Sequence, residues 1–381
     1  MRNVDLERLR VPLGEEENLD AAFAGALEVE VPSLRRLYRE VFDDLDDQVF
    51  GVRWWVSHLG TTRRILISHH LVECVRSVEI NLLEASLHLL EALHEWDRES
   101  DFWADVIARR PGGRLAYESR RRATPADDLA RRMATLHAAG FVRAIASALD
   151  CLGACIIGVL ALPRDLLFAD FRKAQNALAN AIASVTTPGG ELQDRFRGVL
   201  DAAVTSAGPT GWLPWTFDLR NMLVHRGRRW HTYQLLPRPE RIFGPDNQVI
   251  PRMMAAEELP NDPAKSQVEA LVAIDERPPV LTEHAEVTLR GVRRSAVDLV
   301  TQVTRELVDV WVARRTAPDL LIQPAAQWPQ GLSHVLSGFD GYQAGSVPYP
   351  PTQAHVNRDI ERQFRTAALD DSTRTRWASF D

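Results

Sequence analysis

Cysteine is nearly absent: the 381 residues contain three, Cys74, Cys151 and Cys155. Three thiols make no disulfide framework, which excludes a small secreted scaffold and makes a reducing cytoplasm the expected compartment. An excess of positive charge is also missing. Lys and Arg number 45 against 52 Asp and Glu, for a net charge of −7 and a pI of about 5.9. A protein that coats nucleic acid along its length is basic, so that class is excluded, whereas a nuclease acting at one local site is not. No apolar signal core follows Met1-Arg2-Asn3-Val4-Asp5, so no leader is expected. The most apolar run, 144–163, contains Asp150 and ends at Pro163, and reads as a buried helix rather than a membrane span. There is no G-x-x-x-x-G-K phosphate loop, no nucleotidyltransferase signature, no H-E-x-x-H zinc pattern and no internal repeat. No cofactor and no metal are expected, and any nucleotide-using partner is expected to be a separate chain.

What is present is helical periodicity. Apolar residues are 45% and charged residues 25% of the chain, an ordinary globular balance. Leu71, Val75, Val78, Leu82, Leu89 and Leu93 recur at three- and four-residue spacing and predict a helix over 61–98. Thr124-Pro125-Ala126-Asp127 starts a helix or helix pair that runs to Leu162, with Gly140 and Gly153 as close-packing points. Helices over 165–185 and 191–207 follow, closed by Pro188-Gly189-Gly190 and Gly208-Pro209. A last long helix, capped by Thr282, is expected to reach Arg315. Ahead of these, Ser33 is expected to cap a helix carrying Leu34, Leu37, Tyr38 and Val41 on one face, and 43–47 to form a solvated acidic turn. His69, His70, His88 and His94 read as helix-surface residues. Between 231 and 281, short β-prone runs broken by Pro237-Arg238-Pro239 and Gly244-Pro245-Asp246-Asn247 predict a small β-meander, with another strand over 268–274.

The chemistry concentrates in Phe217-Asp218-Leu219-Arg220-Asn221-Met222-Leu223-Val224-His225-Arg226-Gly227. Trp212, Pro214 and Trp215 precede it in an aromatic turn, and Thr216 or Asp218 is expected to cap its helix. Asn221 and His225 are i,i+4 and share a helix face. Arg220 lies about 100° from Asn221, within reach of its long side chain. Arginine offers a planar fork of donors to a phosphate. Histidine passes a proton near neutral pH. RNA supplies its own nucleophile, the 2′-hydroxyl, so such a trio can cut RNA without metal. The segment's surroundings are basic, with Arg226, Arg228, Arg229 and Arg238 close by in sequence. They form either an RNA-facing patch or a solvated face. Arg120-Arg121-Arg122 is a second such run, either RNA-facing or simply a solvated connector.

Arg220-Asn221, then Met222-Leu223-Val224, then His225, at the start of a late helix in an all-helical region, resembles the R-N-x-x-x-H signature of HEPN domains. The resemblance spans roughly 61–230. It implies a mainly α fold, a HEPN-like helical bundle that pairs as a homodimer and brings two motifs into one cleft. It further implies a metal-independent endoribonuclease of toxin–antitoxin or phage-defence type. In that reading Arg220, Asn221 and His225 are catalytic, and the product is a 2′,3′-cyclic phosphate. Arg226, Arg228 and Arg229 are the expected RNA-binding residues. RNA is the expected substrate, with an antitoxin or regulatory protein as a further partner and no membrane. Other HEPN domains keep the fold and bind RNA, nucleotides or proteins without cutting, and that sensor role is the alternative. The expected division is a helical lead-in (1–60), the bundle (61–230), a β-rich insertion (231–281), a closing bundle helix (282–316) and an extended tail rich in proline and aromatics (317–381).

Overall fold

A computed structural model describes residues 29–44, 61–108, 124–162, 164–180, 187–225, 233–243, 249–257, 259–265, 269, 272, 280–281, 283–314, 316–317, 320 and 342–343. Within them the chain is mainly helical. Seven α-helices are present: α1 (Pro32–Asp43), α2 (Thr61–Ala108), α3 (Pro125–Val159), α4 (Phe171–Ala179), α5 (Pro188–Ala207), α6 (Trp212–His225) and α7 (Ala285–Arg314). A short 3-10 turn, Leu166–Phe168, precedes α4.

The apolar spacing explains the long helices. On α2 a buried apolar stripe runs through Leu71, Val75, Val78, Leu82, Ala85, Leu89, Ala92 and Trp96, with Val72 and Cys74 buried beside it. The stripe residues alternate steps of three and four, the narrow pattern of a helix that packs along its length. α7 repeats the device with Ala285, Leu289, Val292, Ala296, Leu299, Val303 and Val310. α3 is different: from Phe141 to Val159 it buries residues nearly all round. Leu129–Val159 is long and apolar enough to cross a membrane, and 78% of its most apolar window is buried inside the protein. Core helices also have this character.

Cα packing divides the chain into two compact units, with described residues 29–32, 77–149 and 200–302 in one and 33–76, 150–199 and 303 onward in the other. In the first, Arg131 Nε donates to Glu99 Oε1 at 3.3 Å, and His88 Nδ1 meets His137 Nδ1 at 3.0 Å. These contacts set α2 and α3 antiparallel there. A Cβ on Gly140 would lie 2.7 Å from the His88 ring, so Gly140 is a close-packing point. The same unit holds β1 (Tyr233–Phe243), paired antiparallel with β2 (Val249–Glu257). The expected break at Pro237-Arg238-Pro239 is a register irregularity between Pro237 and Arg241 inside one strand. Prolines lack the amide that a regular ladder needs. The strand expected over 268–274 does not form: Glu269 and Val272, the described residues there, are helical. The run alternates good helix formers (Glu269, Ala270, Leu271) with a three-to-four-residue apolar spacing, and that period favours helix.

In the second unit, α1 buries Leu34, Leu37 and Val41. It begins at Pro32, so Ser33 lies inside its first turn rather than at the cap, and the Ser33 hydroxyl meets Thr304 Oγ1 at 2.6 Å. Proline suits that first position because its missing amide is one the helix leaves unpaired anyway. The expected solvated acidic turn is corrected at its start. Asp44 is 6% exposed, and Trp311 Nε1 donates to its Oδ2 at 2.7 Å and to Glu40 O at 3.2 Å. The indole supplies the donor that makes a buried carboxylate tolerable. The end of α3 is finished in the same unit. Leu162 N donates to Ile157 O at 3.0 Å and Ala161 N to Gly158 O at 3.3 Å, while Ala161 takes φ +49°. This is a Schellman ending with alanine where glycine is usual. The last carbonyls also accept from side chains: Arg314 Nη1 reaches Val159 O at 3.1 Å and Gln193 Nε2 reaches Leu160 O at 3.4 Å. A Cβ on Gly153 would meet the Asp170 and Phe171 backbone at 2.5 Å. That backbone is held there by Phe171 N donating to Asp150 Oδ1 at 3.3 Å. The helix expected over 165–185 is therefore split by this crossing. α4 begins only at Phe171, capped by Asp170, whose side chain accepts from Lys173 N.

Candidate functional site

α6 begins at Trp212, earlier than expected. Gly211 precedes it at φ +86°, a conformation glycine adopts without strain. Thr216 is then a mid-helix residue rather than a cap. It is fully buried, and its hydroxyl donates to Trp212 O at 2.8 Å, one turn back. The aromatic residues ahead of the motif are anchors. Trp212 Nε1 donates to Val204 O at 3.1 Å, satisfying a late carbonyl of α5. Trp215 Nε1 donates to Pro260 O at 3.0 Å. A Cβ on Gly208 would meet Ser295 Oγ at 2.5 Å and the Trp212 ring at 2.9 Å. The α5–α6 corner is thus packed closely against α7. Trp212, Leu213, Thr216, Phe217, Leu219 and Met222 are all buried, and Val224 is 44% exposed. The helix is a fixed platform with one open side.

On that platform Arg220 is half-buried. Its Nε is buried, and its guanidinium carbon lies 5.9 Å from the centre of the Phe217 ring, one turn back. Asn221 is half-buried too. His225 is the last residue of α6, and its side chain lies outside the described residues. By helical register it follows Asn221 by four positions and Arg220 by five, about 40° and 140° around the axis. The expected RNA-binding residues Arg226, Arg228 and Arg229 lie outside the described residues, as do Gly227, Trp54, Trp55, Arg120-Arg121-Arg122, Thr282 and nearly all of the tail.

Polar features that spacing alone assigned to helix surfaces are partly interior. His70 is half-buried and its Nε2 lies 3.4 Å from Cys74 Sγ. Burial pushes the His70 ring below its ordinary value, and the charge of His69 adds to this, against a backbone hydrogen bond with Leu166 and the charge of Asp165. His88 is lowered first by burial and then by His137, against Glu84. Both pairs depend on a partner distant in sequence or on burial, which a helix-period reading does not contain. The roles of Arg314 and Asp44 rest on long-range partners in the same way. No group of three or more His, Cys, Asp or Glu residues able to hold a metal occurs among the described residues.

No family model, curated protein or solved structure matches the chain.

Proposed function

We propose that the chain is a metal-independent endoribonuclease whose working residues are Arg220, Asn221 and His225. The observation that carries this reading is the R-N-x-x-x-H sequence on α6, a helix tied to its neighbours by Trp212 and Trp215 through Val204 O and Pro260 O. A pinned helix holds its side chains in fixed register, as a reaction that depends on orientation requires. In the reaction His225 moves the proton of the attacking 2′-hydroxyl or of the leaving oxygen. Arg220 neutralises the phosphate as negative charge builds on it. Asn221 orients substrate by hydrogen bonds. The O2′–P bond forms as the P–O5′ bond breaks, leaving a 2′,3′-cyclic phosphate and a 5′-hydroxyl. Arg226, Arg228 and Arg229 contact the RNA backbone. The enzyme belongs to the HEPN class, works as a cytoplasmic homodimer in a toxin–antitoxin or defence setting, and is restrained by a protein partner. The β1–β2 pair that follows α6 forms a β-rich insertion that selects substrate or partner.

The half-buried setting of Arg220 against Phe217 also suits a second reading, a HEPN-like sensor that binds RNA, a nucleotide or a protein without cutting it. Purified chain, His225→Ala and Arg220→Ala are incubated with labelled total RNA in EDTA. Cleavage by the parent that is lost in both variants supports the enzyme. Binding of RNA without cleavage by any of the three supports the sensor. Cleavage that survives both substitutions overturns the assignment of the site.

A further inference from the structure

All three cysteines of the chain meet at one place. Cys74 stands on α2, and Cys151 and Cys155 stand one turn apart on α3. The two helices approach closely there: a Cβ on Gly158 would lie 2.8 Å from Leu71 Cδ1. Leu71 is one turn before Cys74, and Gly158 is one turn after Cys155. The absent side chain at Gly158 therefore lets the backbones draw together beside the thiols. A disulfide between helices needs such an approach, because its Cα atoms stand only about 4.4–6.8 Å apart. The Cys74 and Cys151 thiols lie within reach of one another. His70 Nε2 lies 3.4 Å from Cys74 Sγ on its other side. Cys74 and Cys155 are buried, while Cys151 is half-buried.

We infer that Cys151 and Cys74 form a peroxide-sensitive thiol pair, with Cys151 as the attacking sulfur, Cys74 as the resolving sulfur and His70 as the base that serves it. The thiolate of Cys151 attacks a hydroperoxide, the O–O bond breaks, an alcohol or water leaves, and Cys151 becomes a sulfenic acid. Cys74 gives its proton to His70 and attacks the Cys151 sulfur. The S–O bond breaks, water leaves and the disulfide forms. The net change is two thiols and one hydroperoxide giving one disulfide, one alcohol or water, and one water. The division of roles follows from exposure and from His70: Cys151 is the half-buried thiol, whereas Cys74 is buried with His70 Nε2 at 3.4 Å beside it. The neighbouring Cys74 holds the Cys151 thiol below its ordinary range, whereas Cys151 and burial hold Cys74 well above it. Reactivity follows thiolate character and exposure, and Cys151 is the more exposed of the two. Burial keeps His70 neutral near pH 7, so its ring can accept a proton. Cys155 is a built-in control, since burial raises its thiol well above the usual range.

The test uses the full chain treated with hydrogen peroxide, alkylated, digested without reductant and mapped by mass spectrometry. The expected product is a Cys74 peptide joined to a Cys151 peptide, released by dithiothreitol, with Cys155 still alkylatable after denaturation. In Cys74→Ser, peroxide should leave a sulfenic acid on Cys151 that dimedone traps. In Cys151→Ser, Cys74 should remain alkylatable. His70→Gln should slow closure of the disulfide, so that dimedone traps more sulfenic acid on Cys151 than in the parent. Three intact thiols after peroxide, a link through Cys155, or no dimedone adduct on Cys151 in the folded Cys74→Ser protein would each overturn the assignment.

Discussion

Two arginines in this chain share one local pattern and differ in setting. Arg314 follows Trp311 by three residues on α7, and Arg220 follows Phe217 by three on α6. Each guanidinium lies over the preceding ring, at 3.7 Å for Arg314 and 5.9 Å for Arg220. Arg314 is 6% exposed and donates to Val159 O at 3.1 Å. It places a positive charge at the C-terminus of α3, where the helix dipole favours one. Arg220 is half-buried and lies farther from its ring. The i,i+3 aromatic–arginine spacing brings both cations over rings. Burial and a carbonyl partner make Arg314 structural, whereas Arg220 has the more open setting that the proposed phosphate contact requires.

The largest expected effect lies on α6. His225→Ala should lower RNA cleavage by about 100-fold or more, the usual contribution of a positioned proton-transfer group. Arg220→Ala should lower cleavage comparably while shifting stability by less than about 1 kcal/mol. Arg314 should behave in the opposite way. Arg314→Ala strips the α3 carbonyl of a charged donor inside the protein and should cost about 2–4 kcal/mol, read as a fall in Tm. Arg314→Lys should rescue little, because an ammonium neither stacks on Trp311 nor presents the same fork. Next in size is Asp44→Ala, which removes the 2.7 Å acceptor of Trp311 Nε1 and should cost about 1–3 kcal/mol by denaturant titration.

Acid should act through the interior histidines. His70 and His88 lie below the ordinary value of 6.5 in the folded chain. The unfolded chain then takes up protons first as pH falls. Their contribution is full above about pH 6.5 and is lost as pH drops below it toward the folded values. Thermal unfolding from pH 7.5 to 5 should show this loss, and a His70→Gln, His88→Gln double variant should flatten it. The smallest effect is a gain. Ala161→Gly relieves a φ of +49° and should raise stability by about 0.5–1 kcal/mol.

Much of the helical fold is legible in the sequence, because burial on α2 and α7 follows a period that Leu71, Val75, Val78 and Leu82, or Val292, Ala296, Leu299 and Val303, display openly. The close-packing roles of Gly140 and Gly153 are legible too. What periodicity hides is pairing at long range. Asp44 reads as part of an acidic solvated run, and its donor stands 267 residues away. His88 reads as a surface residue, and its partner is 49 residues away on another helix. Thr216 resembles a cap until Gly211 and Trp212 start the helix a turn earlier. The motif at Arg220 and Asn221 is legible as sequence, whereas the Phe217 ring beside Arg220 and the burial of its Nε belong to packing. The meeting of Cys74 with Cys151 and Cys155 has no local signature.

The most direct measurement pairs an RNA-cleavage assay in EDTA with thermal melting for the parent, Arg220→Ala and Arg314→Ala. The account predicts that the parent cuts RNA without metal, that Arg220→Ala loses cleavage at nearly the parent Tm, and that Arg314→Ala melts several degrees lower while its folded fraction still cuts. A parent that leaves RNA intact, or an Arg220→Ala protein that cuts normally and melts as low as Arg314→Ala, would contradict it.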